Sequence, residues 1–450
     1  MRKKFASACA LTVLATGFTP QSAMAASGAA GSGAGYAVSG YDVSVAYEPK
    51  TEVLTGDTTV KLTTKKPLDE LTLNLALPAV AVEINGKAAR SFSASDGKLR
   101  VTPAQRIGTG KNVKVRIRYA GQPGKDNPAW ARTEDGGAVT VTDTASSWFP
   151  TSTDKSARAQ LNVTATVPAN WVAISNGLEL PAEDRAGRNS FRWRTAAPLR
   201  PANATLGVGP WKLERSRLDD GTPVVNAFGK GAEDRAKPAA DQLPSMMKHL
   251  TESYGAYPFD SVGGIFVDPV DRNTPYYAGQ GRAVISGTST DGFDPSILVH
   301  ELAHSWFGNS VAPATNDDAA ISEGLASYAP WQWAEASGGT DLDTRYRNEI
   351  KTLADDADWW RQTIVPSSMG MYTKAPYALH ALRKSIGDTD FDRLLKEWTT
   401  RYANSHRTWT EFEQLAAEVA GKNLTGFFDA WARGTTIPHD AYLWPAGMKN

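Results

Sequence analysis

The stretch Val299-His300-Glu301-Leu302-Ala303-His304-Ser305-Trp306-Phe307-Gly308, with Glu323 downstream, decides how this chain is read. A helix turns about 100° per residue, so histidines four apart leave one face and can aim two imidazoles at one ion. Asp294-Pro295 supplies an N-cap with proline in the first turn, and Gly308 follows the last apolar residue, so the sequence marks both ends of this helix. Ile297, Leu298, Leu302, Ala303, Trp306 and Phe307 form the apolar surface that buries it. Burial accounts for those residues and leaves the polar ones to be explained.

A histidine pair on a buried helix is commonly a satisfied core feature, with the glutamate between them in solvent. Here Glu301 stands where a general base would stand, and a second predicted helix over 319–328 carries Glu323. A catalytic zinc takes three protein ligands and leaves one position for water, and two histidines with one carboxylate make such a set. His300, His304 and Glu323 are therefore the expected ligands of one Zn2+ per chain. Water on such an ion has its pKa lowered to about 7, so Glu301 is expected to take its proton and return it to a leaving amine.

Outward from that site, 450 residues predict two or three domains. Arg2, Lys3 and Lys4 precede an apolar run from Phe5 to Phe18, and Ala23-Met24-Ala25 offers a small-x-small cleavage site. Residues 1–25 read as a secretory signal peptide, too short before Pro20 to span a membrane. No later stretch approaches the roughly 20 apolar residues a span needs. The expectation is an exported protein, in the medium or at the cell surface. Cys9, the one cysteine, falls in the signal, so the exported chain is expected to hold no disulfide. Basic and acidic side chains balance at 48 each, which points to neither nucleic acid nor an anionic membrane as partner.

Residues 26–35 are small and glycine-rich and read as a flexible leader. From 36 to 213 the period is two: Leu71, Leu73, Leu75 and Leu77 alternate with polar or small residues, as do Val113, Val115, Ile117 and Tyr119, and Leu161, Val163, Ala165 and Val167. Asn85-Gly86 is a hairpin turn signal. These features predict an N-terminal antiparallel β-domain. From 214 to 450 the pattern becomes mixed α/β and then mainly helical: Met246, Met247, Leu250 and Tyr254 recur at helical intervals, Ile265-Phe266-Val267 and Ala283-Val284-Ile285 are short apolar strands, and helices are expected over 377–386, 391–402 and 412–420.

The second histidine and the distal carboxylate are separated by 18 residues, and with the words around them the chain resembles the zinc aminopeptidase N family of gluzincins, which also contains a leukotriene epoxide hydrolase. The likeness rests on His300 to Asn309 and Ser322-Glu323-Gly324-Leu325-Ala326-Ser327-Tyr328. It extends to Trp148-Phe149-Pro150, Ser175-Asn176-Gly177, Tyr257-Pro258-Phe259 and Phe427-Phe428-Asp429-Ala430-Trp431. It implies an α+β multidomain fold, a saddle-like β-sandwich domain followed by a thermolysin-like catalytic domain, and a peptide or protein as substrate. It also implies that Tyr372, in Tyr372-Thr373-Lys374-Ala375, donates to the tetrahedral oxyanion, a role worth about 3–4 kcal/mol in comparable sites.

Two departures bear on the substrate. Where the family places a glutamate that pairs with the free α-amino group, this chain has Gln280, flanked by Gly279 and Gly281 as further candidate substrate-binding residues. An amide accepts a hydrogen bond from an ammonium but does not neutralise it. Before Trp148, Asp143 is the one acidic residue able to complete an amine pocket, and Arg282 repels an ammonium, attracts a carboxylate or is solvated according to where it faces. Asp318 is expected to orient a histidine or cap a helix, and Pro330 to kink the Glu323 helix. The leading reading is an exported zinc metallopeptidase of aminopeptidase type. The alternatives are an endopeptidase, or a peptidase for blocked or unusual termini, and, from another class, a non-catalytic zinc-containing peptide-binding protein.

Overall fold

The computed structural model describes residues 34–124, 130–141, 143–185, 187–270, 276–287 and 293–449. The signal at 1–25, Cys9 and most of the leader at 26–35 lie outside them.

Alternation becomes strand as expected. In Asn112–Gly121, Val113, Val115, Ile117 and Tyr119 are buried while Lys114, Arg116 and Arg118 are exposed, and Gln160–Pro168 repeats the pattern. Asn85 and Gly86 have φ of 51° and 77° and close a two-residue hairpin in which Ile84 pairs with Lys87. The largest sheet has eight strands, with smaller sheets of four and three beside it. It departs from a purely antiparallel domain in one place. Tyr36–Glu48 pairs antiparallel with Val53–Thr64 but parallel with Gln160–Pro168. The chain between them runs through the smaller sheets before returning in the original direction, and a long crossover of that kind is what a parallel pair requires.

A five-stranded sheet follows, in the order Lys212–Arg217, Pro223–Phe228, Gly264–Val267, Arg282–Ser286 and Tyr277–Gly279. Its inner strands are apolar on both faces, and the period of two sorts the side chains. Val225, Ala227, Ile265, Val267 and Val284 pack with the β-domain core. Val224, Phe228, Phe266, Ala283 and Ile285 pack with the helices. One sheet therefore serves as a wall shared by both cores. The helices beyond it include Leu243–Tyr254, Pro295–Ala303, Glu323–Ala336, Ala375–Ile386, Asp388–Arg401 and Trp409–Ala420. Pro330 is contained within Glu323–Ala336, which continues past it to Ala336. Among the described residues no helix is long and apolar enough to cross a membrane.

Candidate metal centre

The first half of the centre is set by Pro295–Ala303. Asp294 caps it, its side chain accepting from Ser296 N at 2.8 Å. Helical geometry ends at His304, earlier than the apolar pattern suggested: the next two amides reach back only three residues, Ser305 N to Leu302 O and Trp306 N to Ala303 O at 3.0 Å each, and further on Asn309 N reaches back five, to His304 O at 2.9 Å. The second half comes from Glu323, the first residue of its own helix.

Three donor atoms converge. His300 Nε2 and His304 Nε2 are 3.1 Å apart, and Glu323 Oε2 lies 3.6 Å from the first and 3.4 Å from the second. Tetrahedral ligands at zinc bond lengths are separated by about 3.3 Å, so the set fits zinc as it stands. Among the described residues these three form the group of His, Cys, Asp or Glu able to hold an ion. Burial opposes charge on His304, yet Glu323 outweighs it and raises the imidazole to about 9. Glu323 itself stays ionised against burial because His304 and His300 face it. The convergence point therefore favours positive charge, which a divalent cation supplies.

Each histidine needs a fixed tautomer to bind metal. For His304 the partner is the Phe307 carbonyl, 2.9 Å from Nδ1, with Ser322 Oγ at 3.3 Å. Asp318 does not orient a histidine. One of its oxygens accepts from Thr315 N and Oγ1 and the other from Trp409 N at 3.0 Å, in a capping box that starts the short turn Asn316–Ile321. Gly308 has φ of 114°, and a Cβ there would stand 2.3 Å from Ser322 Oγ and 3.3 Å from His304 Nδ1, so only glycine lets the loop close on the ligand.

Glu301 is buried between the ligands, and burial raises its carboxyl pKa, with His300 and His304 acting the other way. Tyr372 leaves its ring 41% exposed while burial of its hydroxyl end, followed by Glu323 and Glu301, keeps the phenol protonated. It sits in the turn Gly370–Thr373, which Lys374 anchors. That lysine is buried and donates to Gly434 O at 2.7 Å and Gln362 O at 3.2 Å, while Thr373 Oγ1 donates to Gln362 Oε1 at 2.6 Å.

The hairpin that carries Gln280 is turned inward. Gly279 pairs with Arg282 across Gln280-Gly281, and Gln280 is 3% exposed, its amide nitrogen donating to Ala197 O at 3.3 Å and its oxygen receiving nothing from the described residues. Arg282 is neither solvated nor in the cleft. It is fully buried, donates to Gly281 O and Gly177 O, and lies 5.2 Å from the Trp193 ring centroid. Asp143 is half-exposed and paired with Lys155 at 3.2 Å.

Sequence reasoning missed the amides that tie these segments together. Asn176 Nδ2 donates to Asn203 O and Gln280 O, Asn203 Nδ2 donates to Asn309 Oδ1 at 2.5 Å, and Asn309 Nδ2 donates to Ala278 O at 3.4 Å. Asn176 and Asn309 both lie inside the quoted stretches, which was the available signal. Asn203 had none.

Residues 293–431, which hold every zinc donor and Tyr372, match a family model described as Peptidase family M1 domain. Over those residues the chain carries a Peptidase family M1 domain. The chain is 20% identical over 440 residues to Aminopeptidase 2 of Candida albicans, covering 88% of itself and 47% of that protein. To Aminopeptidase N of Streptomyces lividans it is 24% identical over 308 residues, covering 61% of itself and 35% of that protein. It thus spans less than half the length of these curated relatives. Its fold matches the crystal structure of an M1 zinc metallopeptidase from Deinococcus radiodurans with a TM-score of 0.78 and 24% identity, covering 92% of this chain and 96% of that one. A mutant of the Deinococcus protein, crystallised with a Tyr-Ser-Ala substrate, matches with a TM-score of 0.77 and 23% identity over 90% of this chain and 96% of that one. Family and donor geometry agree on zinc as the cofactor.

Proposed function

We propose that this chain is an exported zinc metallopeptidase that hydrolyses peptide bonds at free amino termini. The observation that carries the reading is the convergence of His300, His304 and Glu323 with Glu301 buried beside them. Zinc in that set supplies Lewis acidity and a water acidic enough to be deprotonated near neutral pH. Glu301, raised by burial, takes the water's proton and delivers it to the departing amine. Tyr372, kept protonated, donates a hydrogen bond to the oxygen on which negative charge develops. The strand Tyr277–Gly279 is the edge of its sheet and offers its free side for pairing with an extended peptide.

A purely structural zinc would not call for a buried carboxylate such as Glu301, which weighs against a non-catalytic binding protein. The hairpin supports a second reading. Residues 276–287 contain no carboxylate, and Gln280 and Arg282 are buried away from solvent, so nothing there neutralises an ammonium. A cleft of that kind admits blocked termini or internal segments.

The test is one peptide series, free and acetylated at the amino terminus, given to the zinc-loaded exported chain, with Glu301→Gln as blank. Faster cleavage of the free form with release of one residue supports the aminopeptidase. Equal or faster cleavage of the acetylated form replaces it with the second reading. Recovery of the chain with Met1 intact in the cytoplasm removes export.

A further inference from the structure

Three successive carbonyls after the zinc-site helix are held from the β-domain. Arg158 Nη1 donates to Asn309 O at 2.7 Å and Nη2 to Ser310 O at 2.8 Å. Arg200 Nη2 donates to Gly308 O at 3.3 Å, while its Nε donates to Asn203 Oδ1 at 3.1 Å, the same asparagine that holds the Asn309 side chain. Burial pushes Arg158 down to about 10, with Arg200 adding to the effect, so desolvating these guanidinium groups beside one another is costly. Facing neutral carbonyls rather than carboxylates, they gain no ion-pair energy from the loop. What the arrangement delivers is geometry: a planar fork fixes two adjacent peptide planes where a single ammonium would fix one.

Those planes are next to a metal ligand. Gly308 follows Phe307, whose carbonyl partners His304 Nδ1 at 2.9 Å. The space a Gly308 Cβ would need is already taken by Ser322 Oγ and His304 Nδ1, so the loop has no slack. A loop that shifts takes the Phe307 carbonyl with it and leaves the imidazole free to tilt.

We propose that Arg158 and Arg200 are positioning residues for the zinc ligand His304, so that the β-domain sets how tightly the catalytic domain holds its metal. The proposal rests on the zinc reading above. Removal of a group that orients a metal ligand weakens metal binding by about 10- to 100-fold, and an effect relayed through a carbonyl belongs at the lower end.

The test is the zinc dissociation constant of the full chain by competition with a chelator, together with the visible spectrum of the cobalt-substituted form as a readout of ligand geometry. Wild type is compared with Arg158→Ala, Arg158→Lys and Arg200→Ala. The control is Ser261→Ala, which removes a buried 2.6 Å bond to Gly177 O between the same two domains without touching the loop. Arg158→Ala is expected to weaken zinc about tenfold, Arg158→Lys by less, and Ser261→Ala by no more than about twofold. If Arg158→Ala does not fold, Arg158→Lys carries the comparison. Zinc affinity and cobalt spectra unchanged in the arginine variants, or a loss no larger than that of Ser261→Ala, would overturn the proposal. Wild type that holds no zinc beyond a His300→Ala blank would overturn the functional reading as well.

Discussion

His380 makes the stability of the helix bearing Glu323 dependent on pH. Its ring is 1% exposed, with Nε2 2.9 Å from Asp343 Oδ1 and Nδ1 3.0 Å from the hydroxyl of Tyr328, five residues beyond Glu323 on the same helix. The neutral imidazole satisfies both neighbours, Nε2–H donating to Asp343 and Nδ1 accepting from Tyr328. A proton on Nδ1 would force the hydroxyl to turn. Burial is the largest influence and carries the pKa from 6.5 down to about 4, against the opposing pull of Asp343 and with Arg383 and Lys384 assisting. A depressed folded-state value means that the unfolded chain binds the proton first. The contribution is therefore complete above the unfolded value of 6.5 and is lost as pH falls toward about 4. Linkage over that shift gives a total of about 3 kcal/mol, of which about 2 kcal/mol is lost between about pH 7 and about pH 5. The assay is urea unfolding at both pH values for wild type and His380→Gln, which keeps an amide donor but has no proton to bind. Zinc release on acidification affects both proteins alike and cancels in the difference. Equal losses of stability in the two proteins would refute the reasoning.

Tyr372→Phe removes one oxygen from a ring that is already part-exposed, so folding and zinc content should be unchanged while kcat falls by about 10²- to 10³-fold with little change in KM; a kcat within threefold of wild type, on the order of 0.6 kcal/mol, would leave the tyrosine without a catalytic role. Gly279→Ala places a Cβ 1.9 Å from Thr205 Oγ1 and 2.7 Å from Arg282 O. It should cost about 1–3 kcal/mol by urea unfolding, with part of that recovered in the double variant Gly279→Ala, Thr205→Ala; full stability in the single variant would mean that the hairpin is not packed as described.

What could be read from the sequence was what depends on neighbours in the chain. Asp294, Pro295 and the 300/304 spacing act within one or two turns, so the cap and the paired imidazoles followed from local chemistry. The strands over 112–121 and 160–168 followed from a period of two. Asp318 shows where that kind of reasoning divides, because an acidic residue just before a helix serves equally as a histidine partner or a cap. Thr315, three residues earlier, completed the capping box. The distant groups gave no such handle. Arg282 carries a charge and was expected at the surface or in the cleft, yet Gly177 O and the Trp193 face, contributed by the other domain, hold it in the interior. The parallel pairing of Tyr36–Glu48 with Gln160–Pro168 likewise depends on where the intervening sheets return the chain.

The amides explain why the β-domain had to be part of the site. Asn309 directly follows the glycine that closes on His304, and its two side-chain atoms reach in opposite directions, Oδ1 to Asn203 in the β-domain and Nδ2 to Ala278 on the edge strand. Asn203 O in turn accepts from Gln280 N and from Asn176, whose Oδ1 receives Thr205 N at 2.7 Å. A buried polar network is stable only when its members are satisfied together. Displacing the β-domain would therefore leave unpaired amides at the metal loop and in the hairpin around Gln280 at once. On this structure the loop after the zinc-site helix and the edge strand Tyr277–Gly279 keep their relative positions because a third element, remote in sequence from both, supplies hydrogen bonds to each.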